Sequence, residues 1–113
     1  TLRNVPSYIR VYELSGPLFF GAADIIERIT VKSMTKCLII RMRAVPSIDI
    51  TAMNTLISLY KKCEKNGITL ILSHVNEQPM KAMKKAGFVS MIGKENICPH
   101  IDAAIAHAEK TVK

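Results

Sequence analysis

The chain has 113 residues, the size of one domain, and 49% of them are apolar, enough for one core without disulfides or metal. Trp is absent and Phe and Tyr number three each, so that core must be aliphatic. The net charge of +7 suits acidic partners such as anionic lipid headgroups, an acidic protein or a nucleotide, and does not by itself imply nucleic acid. The three cysteines, Cys37, Cys63 and Cys98, show no C-x-x-C spacing, which argues against a disulfide framework and a zinc site and fits a reducing compartment. No signal peptide is visible, and no apolar run approaches the roughly 20 residues of a membrane-spanning helix. The chain opens on Thr1 rather than Met, so it is expected to be a piece of a longer protein, with any membrane segment outside it.

Residues 8–14, YIRVYEL, alternate Ile9, Val11 and Leu14 against Arg10, Tyr12 and Glu13, the pattern of a strand with one wet face. SGP (15–17) is a turn, and LFF (18–20) a short second strand that completes a hairpin. Residues 21–32 repeat Ala22, Ile25, Ile26 and Ile29 at helical spacing. TKCLIIRMR (35–43) is a compact aliphatic run, as expected of a central strand covered on both faces.

Asp49 opens the next helix. Ile50, Met53, Leu56, Ile57, Tyr60 and Cys63 form its apolar stripe, Thr51, Asn54, Ser58, Lys61, Lys62 and Lys65 its polar face, and Asn66-Gly67 its stop. ITLILSHV (68–75) is a second buried strand. In 76–87 Asn76 is the expected cap, Pro79 lies in the first turn and Gly87 ends the helix. FVSMIG (88–93) reads as a short last strand, and 98–110 as a last helix with Ile101, Ala104, Ile105 and Ala108 inward. The order predicts a single α/β domain with a mixed, mostly parallel sheet of four to five strands packed by about four helices.

The sequence gives little support to an enzyme. HExxH, GxSxG, GxGxxG and Walker A motifs are all absent. His100 and His107 can share a helix face near Cys98, but the spacing is not that of a metal site, and His74 stands apart. The cysteines lie in apolar contexts and read as small core residues. Lys61, Lys62 and Lys65 end one helix and Lys81, Lys84 and Lys85 the next, where cations gain about 0.3–1 kcal/mol each from the helix dipole. The same six lysines are a candidate surface for an acidic protein or anionic lipid. No aromatic residues interleave with them, which disfavours a nucleic-acid groove.

Asp49, flanked by Ile48 and Ile50, has a structural explanation as a helix cap, its carboxylate accepting from the N–H of Thr51 or Ala52. It also lies in a βα loop at the C-terminal edge of a strand, where open α/β sheets place ligands, and beside a helix N-terminus, which attracts anions. No cofactor is called for; a nucleotide at the loop around Asp49 is the only one this position suggests.

The order and spacing of VYELSGPLFFGAAD (11–24), LIIRMRAVPSIDITAMNTL (38–56), GITLILSHV (67–75) and KKAGFVSMIGKENICPHIDAAIAHA (84–108) resemble the STAS domain. That domain is shared by bacterial anti-anti-sigma factors and by the cytoplasmic C-terminal region of SulP-type anion transporters, and the resemblance covers nearly the whole chain. GPLFFGAAD (16–24) is similar to the transporter branch, and the opening PSYIRVYEL looks like the start of a transporter STAS domain. In anti-anti-sigma factors the central loop reads like D-S-S-G, and the serine after the aspartate accepts phosphate. Here Asp49 matches the aspartate and Thr51 the second hydroxyl, but the acceptor position is Ile50. Transporter-type domains often relax this motif.

The resemblance implies one STAS domain over 1–113 that is non-catalytic and regulatory. It implies a partner in the transmembrane domain of the same polypeptide and a place at the cytoplasmic face of the inner (plasma) membrane. Ser47, Asp49, Ile50 and Thr51 are then the regulatory loop and helix N-terminus. The resemblance implies sulfate, bicarbonate or a dicarboxylate as the transported anion. The alternative is a free-standing anti-anti-sigma factor that binds a kinase-type anti-sigma factor.

Overall fold

The computed structural model describes residues 6–15 and 35–111. The strand expected at 18–20 and the helix expected at 21–32 lie outside the described residues. Among the described residues four strands, β1 (Ile9–Ser15), β2 (Cys37–Ala44), β3 (Thr69–Ser73) and β4 (Ile97–Cys98), form a sheet in the order β1-β2-β3-β4, with each of these pairs parallel. Among the described residues four α-helices accompany it: α1 (Ile50–Lys65), α2 (Glu77–Lys85), α3 (Phe88–Ile92) and α4 (Ile101–Thr111). The α/β architecture is as expected.

A parallel sheet has both faces covered, and the burial of β2 shows it: Cys37, Leu38, Ile39 and Ile40 are all fully buried. Alternation sends Leu38, Ile40 and Met42, with Leu70 and Leu72 of β3, into the larger core beneath α1, α2 and α3. Cys37, Ile39 and Ile71 face the other way, onto Ala104, Ile105 and Ala108 of α4. β1 also has cover on both faces. Ile9 and Val11 pack on the α4 side, while Tyr12 and Leu14 join the larger core. Leu14 therefore does not share a face with Ile9 and Val11, as a strand with one wet face requires; its even position puts it on the opposite side of the pleat.

The segment expected as a last strand, 88–93, is instead the short helix α3. A strand would bring Ser90 onto the buried face with Phe88 and Ile92. One helical turn buries Phe88 and Ile92 together and leaves Ser90 and Met91 outside. Gly87, with φ +77°, makes the left-handed turn that separates α3 from α2. Phe88 then meets Tyr60 of α1 edge-on, with ring centroids 6.1 Å apart. The last strand is the two-residue β4, and the final helix starts at Ile101 rather than at residue 98.

All three cysteines are buried free thiols, as their sequence contexts suggested. Burial, and then the neighbouring Cys98 thiol, pushes Cys37 up to about 12 against a backbone hydrogen bond at Leu38. Burial, and then Cys37, pushes Cys63 up to about 12, and burial raises Cys98. The folded state therefore holds thiol protons that the unfolded chain releases near pH 9. The associated stability is intact below that pH and is lost as pH rises from about 9 toward 12. Urea midpoints should be level from pH 7 to 8.5 and fall above 9. A Cys63→Ala variant should start lower but fall less steeply; an equal slope in both proteins would contradict the assignment.

Candidate functional site

The loop between β2 and α1 emerges at the C-terminal edge of the sheet. Val45 turns it by donating its N–H to the Met42 carbonyl at 2.9 Å. Val45 and Ile48 are buried anchors, and Pro46 and Ser47 between them are exposed. Two side-chain amides from the segment that follows β3 hold this loop. Asn76 Nδ2 donates to the carbonyls of Arg43 (3.1 Å) and Val45 (2.9 Å). Gln78 brackets Ile48: the Ile48 N–H donates to Oε1 at 2.8 Å, and Nε2 donates to the Ile48 carbonyl at 3.3 Å. Both backbone polar groups of a buried loop residue are thereby satisfied, as burial requires.

Asp49 is the cap that the sequence suggested. Its backbone is extended, and Oδ1 accepts from the Ala52 N–H at 2.8 Å. This carboxylate supplies the negative charge favoured at the start of α1, whose first turn has no acidic residue of its own. Asn76 departs from its expected role. It stands at the N-cap position of α2 but makes no side-chain cap bond, because its amide is committed to the loop. Gln78 was not singled out from the sequence; its partner lies 30 positions away, beyond the reach of any local pattern.

Ile50 also departs from expectation. The helical stripe of α1 is real at Met53, Leu56 and Cys63, with Ile57 and Tyr60 half-buried, and it includes Leu59 and Ala52. Ile50 is not part of the buried face and is 79% exposed. At the first helical position it projects beyond the layer that covers Met53. Thr51 is exposed beside it, and its carbonyl accepts from Thr55 Oγ1 at 3.1 Å.

The structure divides the six lysines. Lys81 and Lys85, on α2, rim a groove of about 630 Å³ that Asp49, Ile50, Met53 and Ala82 also line. Lys84 is exposed but lies outside the groove. Lys61, Lys62 and Lys65 are exposed at the far end of α1, about 17–22 Å along the helix from Ile50. Of these three, Lys62 lines a second groove along α1 together with Thr51, Asn54, Thr55, Ser58 and Leu59. Lys81 also meets Glu77 at 3.5 Å, an exposed pair worth little.

Two of the histidines have structural work. His100 Nδ1 accepts from the Ala103 N–H at 3.1 Å and caps α4, and His107 Nε2 lies 2.8 Å from Asn96 Oδ1. Among the described residues no group of three His, Cys, Asp or Glu is placed to hold a metal ion.

A family model described as STAS domain matches residues 3–104. The putative sulfate transporter YvdB of Bacillus subtilis is 30% identical over 103 residues, 88% of this chain and 19% of that protein. This chain thus spans about a fifth of that relative. A sulfate transporter family protein from Wolinella succinogenes superposes with a TM-score of 0.85 at 38% identity, covering 97% of this chain and 92% of that one. The SulP transporter STAS domain from Vibrio cholerae superposes with a TM-score of 0.85 at 32% identity, covering 96% and 87%.

The loop's anchors should show in stability. Asp49→Ala should cost about 0.5–2 kcal/mol through the lost cap. Gln78→Ala, which strips two hydrogen bonds from Ile48, should cost about 1–3 kcal/mol. Ile50→Ala, at an exposed position, should stay within about 0.5 kcal/mol of the parent. Urea unfolding of the three variants checks the order; a Gln78→Ala cost no larger than that of Ile50→Ala would remove Gln78 as an anchor.

Proposed function

The chain belongs to the STAS domain family, and we propose that within it this is the non-catalytic regulatory and interaction domain of a SulP-type anion transporter. In this reading residues 1–113 hang at the cytoplasmic face of the inner (plasma) membrane, beneath a transmembrane domain of the same polypeptide. Anion passage belongs to that transmembrane part, and the anion is sulfate, bicarbonate or a dicarboxylate. The likenesses just described support the transporter branch, since each of the three named relatives is a sulfate or SulP transporter protein or domain.

The observation that carries the reading lies at Ile50. The loop of Ser47, Asp49, Ile50 and Thr51 has the place and the capping aspartate of a regulatory loop. Where an anti-anti-sigma factor presents a phosphorylatable serine, this chain presents an aliphatic side chain to solvent. A surface of that kind suits contact with a protein and offers no hydroxyl for phosphotransfer. Asp49 also holds the Ala52 N–H that a phosphate would use, which favours a protein contact over a nucleotide at this loop.

Three measurements test this. The parent reading frame should encode apolar stretches of about 20 residues upstream of Thr1; a start codon immediately upstream would support a free-standing protein instead. Expressed whole in cells lacking their own carrier, the parent protein should take up one of the three anions. Ile50→Asp should change that uptake severalfold at equal protein in the membrane. A kinase-type anti-sigma factor with labelled ATP should leave residues 47–51 unlabelled, and label on Thr51 would support the anti-anti-sigma alternative.

A further inference from the structure

We propose that the groove between the first turn of α1 and α2 docks an acidic amphipathic helix of a partner protein. The partner's apolar side chains would sit against Ile50, Met53 and Ala82, and its carboxylates against Lys81 and Lys85. This rests on the reading of the loop as a contact surface and specifies the chemistry of what it contacts.

Ile50 is one of two exposed large apolar residues among those described, the other being Met91 at 38%. It stands over a recess whose floor includes Ile48 and Met53 and whose far wall is Ala82 and Ala86. Ala82 and Ala86 are one helical turn apart, and their small side chains let another helix approach closely. The walls are fixed before any partner arrives. Gln78 ties the start of α2 to the Ile48 backbone, and Asp49 closes the first turn of α1. A partner therefore need not order them on binding.

Charge selects the occupant. Lys81 and Lys85 are also one turn apart, about 6 Å, the spacing of carboxylates three or four residues apart on a facing helix. Among the described residues Lys85 has no carboxylate within ion-pair distance, and Lys81 has only the exposed Glu77. A flat anionic bilayer fits less well, because the apolar floor is recessed, with Met53 only 6% exposed.

The test is a titration of the 15N-labelled 113-residue chain, followed by amide spectra, with three defined probes. The first is a synthetic helical peptide with Leu at i, i+3, i+4 and Glu on the flanking positions. The second has Lys in place of each Glu, and the third is phosphatidylglycerol–phosphatidylcholine vesicles. The first peptide should shift the signals of Ile50, Met53, Ala82 and Ala86, and the Lys peptide should not. The double variant Lys81→Glu/Lys85→Glu should weaken binding about tenfold or more, two attractions becoming two repulsions. Ile50→Ser should weaken it severalfold, and both variants should keep the parent's dispersed spectrum. Equal binding of both peptides, or shifts confined to Lys61, Lys62 and Lys65, would overturn the proposal. Vesicles that perturb the groove while the Glu peptide does not would assign this surface to lipid. Because these probes require no transporter, a negative result leaves the regulatory reading to its own uptake test, and a parent frame without membrane spans leaves the groove's chemistry standing.

Discussion

The structure depends on the double burial of β2. A parallel strand in the middle of a sheet donates side chains to both faces, so Leu38 and Ile40 require one helical layer and Cys37 and Ile39 another. Helices α1 to α3 form the first layer and α4 the second. Parallel connectivity then fixes where loops can go. Strands β2 and β3 reach the same edge before the chain turns back into a helix, so the loop after β2 and the segment after β3 emerge side by side. That adjacency lets Asn76 and Gln78 reach a loop 30 or more positions earlier. The candidate site follows from the sheet's topology.

The loop is ordered by amide side chains in place of sheet hydrogen bonds. Net contributions of single hydrogen bonds are small, about 0.5–1.5 kcal/mol, but an unpaired buried N–H or carbonyl costs more. Ile48 has its apolar side chain in the core, so its backbone must find partners there. Gln78 supplies a donor and an acceptor from one group, as a neighbouring strand would. The consequence is mechanical: α2 and the start of α1 share the Ile48 backbone as a fixed point, so displacement of either bears on the other.

Most of the fold was legible in the sequence because its signals are local. The aliphatic run 37–42, the stripe through Met53, Leu56 and Cys63, and the stops at Gly67 and Gly87 each follow from periodicity or backbone chemistry that the sequence carries within a few positions. The misreadings arose where local signals are ambiguous. FVSMI fits either period over five residues, and only the position of the larger core decides that Phe88 and Ile92 go in while Ser90 stays out. Leu14 depended on which face of β1 would be covered, and both are. At the site, Asp49 was legible as a cap because capping is local. Asn76 looked like a cap for the same reason and was diverted by a long-range partner. For the six lysines, sequence spacing carries no information about which of them border the groove beside Asp49; Lys81 and Lys85 do.

Ile50 is the point at which foldability and function pull apart. Burying an isoleucine gains about 1.5–3 kcal/mol over leaving it exposed, and that gain is forgone here. Nothing in the fold calls for an aliphatic side chain at the first position of α1, since the cap comes from Asp49 and the core begins at Ala52 and Met53. The side chain becomes useful only when something covers it. A serine at this position would allow a reversible switch, since phosphorylation adds nearly two negative charges beside Asp49 and can break a contact by repulsion. An isoleucine cannot be switched chemically in that way. A contact built on it is always available, so its occupancy is governed by the concentration of the partner and by competing positions of the domain itself. In the proposed arrangement beneath a transporter, such competition would be intramolecular and would act at high effective concentration. A permanent apolar contact flanked by two lysines is thus a coherent alternative to a phosphorylation switch.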